Sequence, residues 1–193
     1  MTSVFKLAIT GTHSTGKSTF LDSLQKQLEA HGLRVGRIGG LAVKARELGF
    51  PILTDHSIDS SLWMMAEGLR REAELSLSCD VILVDRPPLD AFAYLNAGLS
   101  ITGRSLPVDR LARLHALARL SIEDYDAVVM TVLDPTVALG PGRDQNVELR
   151  LEAASWIARL VAEMAPQAFQ LKRDGSESLL AVVKDAILAA RAS

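Results

Sequence analysis

The chain has 193 residues, 48% hydrophobic and 23% charged, with a net charge of −2. That composition suits one globular domain with a sizeable core, residues 1–193, and its near-neutral balance disfavours broad nucleic-acid binding. A single cysteine, Cys79, excludes an internal disulfide framework and a cysteine-based zinc site, and His13, His31, His56 and His115 show no metal-ligand spacing. No apolar stretch approaches the ~20 residues of a membrane span, and no basic segment followed by an apolar one opens the chain, so the expected location is the cytoplasm.

The first apolar run, Val4–Thr10, reads as a strand. It leads into Gly11-Thr12-His13-Ser14-Thr15-Gly16-Lys17-Ser18, the phosphate-binding pattern G-x-x-x-x-G-K-[ST], followed by Thr19. A helix over Lys17–Ala30 carries Phe20, Leu21, Leu24 and Leu28 on one side and stops at Gly32. Strand, glycine-rich loop and helix together are the setting in which this motif binds a nucleoside triphosphate. The loop's N–H groups and the helix N-terminus would surround the phosphates, Lys17 would reach the β- and γ-phosphates, and the Ser18 hydroxyl would take a place on Mg²⁺.

Leu33–Ile38 is the next predicted strand, and Ser57–Ser76 the next helix, its core stripe read as Ile58, Leu62, Met65, Ala66, Leu69 and Ala73. Val81–Val84 follows as a strand ending in Asp85-Arg86. In an open α/β sheet, ligands gather at the carboxyl ends of strands. Asp85 there can hold Mg²⁺ or accept a proton from an attacking hydroxyl, and Arg86 offers a fixed cation to phosphate oxygens; the plainer alternative is a surface ion pair or a cap for the helix after Pro87-Pro88.

Pro107, with Ser105 or Leu106 as cap, predicts a helix running to about Leu120. Strand Ala127–Val132 ends in Leu133-Asp134-Pro135 with no N-K-x-D guanine reader after it, which favours ATP over GTP. Asp134–Asn146 lacks regular pattern, and loops of about a dozen residues in compact domains are usually functional or mobile. The next helix, Val147–Ala165, has a core stripe read as Val147, Leu151, Ala154, Ala158 and Val161. Arg150 at that stripe's edge, and Arg143 in the loop, are candidates to neutralise charge on a bound triphosphate; solvated arginines beside Glu148 or Glu152 are the alternative. Leu149, Trp156 and Leu160 form a second apolar strip, readable either as a homodimer or partner surface or as cover by the chain itself. Ala168–Leu171 and Glu177–Ala190 complete a β-α alternation that predicts a doubly wound α/β domain. Base contacts are expected near Arg173–Ser176.

ITGTHSTGKST (Ile9–Thr19), LWMMAEGLRRE (Leu62–Glu72), VILVDRPPLDAFAYL (Val81–Leu95) and GRDQNVELR (Gly142–Arg150) together resemble the P-loop AAA-like family. That family includes the nicotinamide-riboside-kinase module and, more loosely, the nucleoside and nucleotide kinases. The resemblance implies a P-loop NTPase fold, three-layer α/β/α, with a five-stranded parallel sheet of order 2-3-1-4-5. It implies ATP-Mg²⁺ at Gly11–Thr19, Asp85-Arg86 facing a nucleoside-like acceptor, residues 134–150 as a lid, and the Ser57–Ser76 helix over the acceptor pocket, where Trp63 would either stack on a ring or pack under a loop.

One departure stands out. The group usually carries an acid at or just after the second strand, and here Arg37–Arg46 contains none before Glu47. Asp85, Asp55 or Asp59 would then stand in, the substrate would differ, or transfer would be lost. The expected activity is an ATP-dependent small-molecule kinase acting on a nucleoside-, riboside- or nucleotide-like acceptor; the alternative is a nucleotide-dependent switch with a protein partner.

Overall fold

The computed structural model describes residues 4–134, 136 and 146–192. Five short apolar runs form the strands β1 (Phe5–Thr10), β2 (Val35–Ile38), β3 (Val81–Asp85), β4 (Ala127–Thr131) and β5 (Phe169–Leu171). All pair in parallel, in the order β2-β3-β1-β4-β5, as the resemblance implies. The inner strands are largely apolar on both faces because helices cover both, while the edge strands β2 and β5 carry Arg37 and Gln170. On one face Leu7, Ile9, Val81 and Leu83 meet helices α1 (Lys17–Ala30) and α7 (Ser176–Ala192). On the other, Ala8, Ile82 and Val84 meet the layer built from α3 (Ile58–Leu75), α4 (Pro88–Thr102), α5 (Val108–Glu123) and α6 (Val147–Met164). A short helix, α2 (Leu41–Glu47), that the apolar pattern does not announce, packs against α3.

Helix α4 sits at the centre of that second layer. It is buried on nearly every side, with Leu89, Ala93, Leu95 and Ala97 fully inaccessible, as expected of a helix apolar all round. Pro87 and Pro88 set its start, where a missing N–H costs nothing. Helix α5 begins one residue later than predicted, with Pro107 itself in the cap position.

Two helices turn a different face inward from the one their apolar residues suggest. Helix α3 buries Ser60, Ser61, Met64, Met65, Gly68 and Glu72, and leaves Leu62 44% exposed. Its inward face is polar in part because it packs on α4 and also lines a cavity. Helix α6 packs on α4 and buries Leu149, Arg150, Ala153, Ile157, Leu160 and, from the expected stripe, Val161, while Val147 and Leu151 lie outside. Of the strip read as a homodimer or partner surface, Leu149 and Leu160 thus belong to the chain's own core, and Trp156 is half-buried, its Nε1 donating to Ser100 Oγ at 3.3 Å. A helix carrying two apolar stripes shows in its sequence that both exist, not which one meets the neighbour.

Gly98 of α4 lies directly beneath the Thr54 carbonyl of the loop before α3: a Cβ there would come within 2.7 Å of that oxygen. Alanine would gain about 1 kcal/mol of helix propensity, less than the roughly 1–3 kcal/mol expected from forcing backbone apart in a packed layer. Gly98→Ala is therefore expected to lower stability by up to about 2 kcal/mol in chemical denaturation, and a raised midpoint would show that the loop yields freely.

Candidate active site

The phosphate loop is pinned from three sides. Gly11 has φ +135°, and a Cβ on it would collide with Thr131 Oγ1 at 1.9 Å, so glycine is required there by both conformation and space. From β4, Thr131 Oγ1 donates to the Thr10 carbonyl at 3.2 Å and shares a hydrogen bond of 2.7 Å with Thr15 Oγ1. From α4, Asp90 Oδ1 accepts from the Gly11 N–H at 3.3 Å and the Thr10 hydroxyl at 3.1 Å. From α6, Arg150 is 4% exposed and its Nη2 donates to the Ser14 carbonyl at 3.4 Å. The Lys17 ammonium folds back on the Thr12 carbonyl and lies 3.4 Å from Thr15 Oγ1.

Helix α1 starts at Gly16 without a side-chain cap and without an acid in its first turn, and the Thr12 hydroxyl is buried with no hydrogen-bond partner. An uncapped N-terminus of a 14-residue helix behind a glycine loop suits an anion. His13 is buried and Ser14 adopts φ +57°, both within the loop; Ser18 and Thr19 are exposed.

Asp85 lies opposite Ile9 in the β1–β3 register, one residue before the loop's approach at Thr10. Its Oδ1 is buried with no hydrogen-bond partner. Asp85 and Ser18 line the same cavity, of about 630 Å³, which runs on beneath α2, α3 and α4. No cluster of three or more His, Cys, Asp or Glu side chains suited to a metal occurs among the described residues. An Mg²⁺ held by one carboxylate, one hydroxyl and the nucleotide's own phosphates needs no such cluster, so Ser18 and Asp85 fit that donor set.

Arg86 takes φ +73°, a strained value for a non-glycine residue, and its N–H donates to the Ile9 carbonyl at 3.0 Å. That turn carries its guanidinium to 5.3 Å from the Tyr94 ring and 3.9 Å from Asp90. Among the described residues, the three non-glycine positions with positive φ are Ser14, Leu53 and Arg86, one in the phosphate loop and two on the cavity wall. Of the acids that would replace the missing one after the second strand, only Asp85 lines the cavity. Asp55 is exposed and Asp59 is a surface partner of Arg110 at 3.8 Å. Arg143 and the middle of the expected lid lie outside the described residues. Trp63 is not on the cavity wall; it packs on Phe50, ring centroids 5.5 Å apart, the loop alternative.

Three cavity residues escape the sequence reading. Glu72 is 2% exposed and held by the Tyr125 hydroxyl at 2.7 Å and by Lys6 at 3.3 Å. His56 comes from an irregular loop whose sequence carries no signal. Asp90 did leave a trace, being an acid inside the otherwise apolar run Pro88–Leu95. Burial pushes the Asp90 carboxyl up to about 6, against the pull of Arg86, Lys17, the Gly11 N–H and the Thr10 hydroxyl. A carboxyl whose folded pKa is raised adds stability below its unfolded value near 3.8 and loses it as the pH climbs through about 6. Asp90→Asn, an uncharged near-isostere, is thus expected to gain stability relative to wild type as pH rises from about 4 to 7. A difference that stays flat across that range, in paired thermal melts, would contradict the burial argument.

Comparison with known proteins bears on this geometry. A family model described as an AAA domain matches residues 6–177. No curated protein matches the sequence. Among solved structures, the NadR protein in complex with NR superposes with a TM-score of 0.61 at 17% identity, over 90% of this chain and 45% of that one. This chain thus spans just under half of NadR. Deoxyadenosine kinase from M. mycoides superposes over 95% of this chain and 99% of that one, with a TM-score of 0.66 at 13% identity when bound to dATP. With dCMP and dCDP bound, the same kinase gives 0.68 at 13% identity, over 96% of this chain. At such identities the likeness establishes a shared P-loop kinase fold. With phosphate loop, sheet order and family match in agreement, the chain belongs to the AAA domain family of P-loop proteins.

Proposed function

We propose that the protein is an ATP-dependent kinase that transfers the γ-phosphoryl group to a hydroxyl or phosphate of a nucleoside-, riboside- or nucleotide-like acceptor. The observation that carries this reading is the second compartment: a cavity that begins at Ser18 and Asp85 and extends away from the phosphate loop under α2, α3 and α4. A nucleotide switch has no need of a small-molecule chamber beside its phosphates. The strip that favoured a partner-bound switch, moreover, lies partly inside the core. The neighbours whose crystals hold NR, dATP or dCMP point to the same class of ligand.

In this reading Gly11–Thr19 would wrap the triphosphate, and Lys17 would leave the Thr12 carbonyl for the β- and γ-phosphates. Ser18 and Asp85 would hold Mg²⁺, which supplies neutralisation of phosphate charge. Arg86, fixed over Tyr94, would face the oxygens of the transferring group, and Arg150, already on the loop at Ser14, would join it from α6. Arg143 completes the proposed set of cations. Asp85 is the residue left to orient the acceptor hydroxyl, and little covalent work is asked of the protein beyond positioning and charge neutralisation.

Acceptor-dependent ADP release, measured with Mg-ATP and a panel of nucleosides, ribosides and nucleoside monophosphates, tests the proposal. At least one acceptor is expected to raise turnover above the ATP-only rate. Lys17→Ala and Arg86→Ala are each expected to reduce it by about 10²-fold or more. Turnover that responds to no acceptor but changes with a partner protein would favour the switch instead.

A further inference from the structure

His56 is 3% exposed and lines the cavity, yet its Nδ1 is buried with no hydrogen-bond partner. Buried polar atoms in native proteins are nearly always paired, so one left open on a cavity wall asks for a ligand. The loop that carries it is firmly held. Leu53 turns at φ +62°, Arg104 donates to the His56 carbonyl through Nη1 and Nη2, both at 3.3 Å, and also to the Thr54 carbonyl. Gly98 lets that strand of backbone lie directly on α4. The imidazole itself packs against the Tyr94 ring, centroids 6.1 Å apart. Burial, with the positive charges of Arg104 and Arg86, lowers its pKa to about 4, so the ring is neutral at physiological pH. The same cavity is lined by the apolar side chains of Leu41, Leu53 and Met64 as well as by the charged Arg46, Glu72, Asp85 and Arg86.

Resting on the kinase reading, we propose that His56 binds an uncharged hydrogen-bonding edge of the acceptor's ring, and that Arg104 positions it. The acceptor class that follows is a flat heterocycle with an amide, amine or imino edge, as in a nucleobase. The apolar side chains take the faces of the ring while Nδ1 takes its polar edge, the division of labour usual in small-molecule pockets.

Long-range ¹H–¹⁵N spectra of the imidazoles in the full chain test this directly, with His56 assigned from a His56→Gln variant. The probes are adenosine, guanosine, cytidine, uridine and their 2′-deoxy forms. The free protein is expected to show a neutral His56, and saturation with at least one probe to move its Nδ1 resonance. If no probe moves it, the proposal is overturned. For an accepted probe, His56→Ala is expected to raise KM about tenfold or more with kcat within about threefold. Arg104→Met is expected to raise KM by less and to weaken the Nδ1 response. Acceptor-dependent turnover with an unmoved His56 resonance and unchanged KM would overturn this inference and leave the kinase reading intact. A moved resonance with no turnover would do the reverse. The titrations use the unmutated protein, and its His56 signal can also be assigned by elimination, from single variants of His13, His31 and His115, so they decide the matter even if the His56 variants fail to fold.

Discussion

A carboxylate beneath the phosphate loop organises this molecule. Asp90 is buried, one of its oxygens accepts from both the Gly11 N–H and the Thr10 hydroxyl, and its helix is the most enclosed in the fold. Burying a charge is costly unless it is hydrogen-bonded and paired. Two donors and Arg86 at 3.9 Å offset part of that cost, and burial still holds the carboxyl above its ordinary range. The result is a rigid link between α4, the end of β1 and the cation that faces the cavity. Thr131 from β4 and Arg150 from α6 hold the far side of the same loop. The loop's shape is thus imposed by side chains from three elements, before any phosphate arrives.

The strained residues fall where this frame meets the cavity. Ser14, Leu53 and Arg86 each hold a backbone conformation worth roughly 1–3 kcal/mol of strain. All three belong to the loop or its cavity, whereas the sheet and the α1–α7 layer behind it are regular and densely packed. Such strain persists only where the surroundings over-determine it, here through the Arg86 N–H bond to Ile9, Arg150 on Ser14, and Arg104 on the loop beyond Leu53.

The sheet and the phosphate loop were legible in the sequence because both rest on local rules. Parallel strands covered on two faces must be short continuous apolar runs, and Val81–Asp85 or Ala127–Thr131 can be read as little else. Helix faces were less legible. Leu62 and Leu151 look like core residues on a wheel and are exposed, while Glu72 and Arg150 look like surface residues and are buried. What decides is whether a partner awaits across the layer: Tyr125 and Lys6 for Glu72, the Ser14 carbonyl for Arg150. No periodicity encodes that. His56 is harder still, since its burial depends on Arg104, Gly98 and Tyr94, scattered over two other segments.

The absence of an acid after the second strand finds its counterpart in space. Gly39 sits there, close enough to Asp85 that a Cβ would lie 3.4 Å from the aspartate's own Cβ. Asp85 on the neighbouring strand thus lies beside the position that follows β2. The kinase reading requires the loop between β1 and α1 to grip a purine triphosphate. Isothermal titration calorimetry with ATP and Mg²⁺ measures it most directly. Saturable one-site binding that is lost in Lys17→Ala is the predicted result; no detectable heat at any ATP concentration with the folded wild-type protein would contradict it.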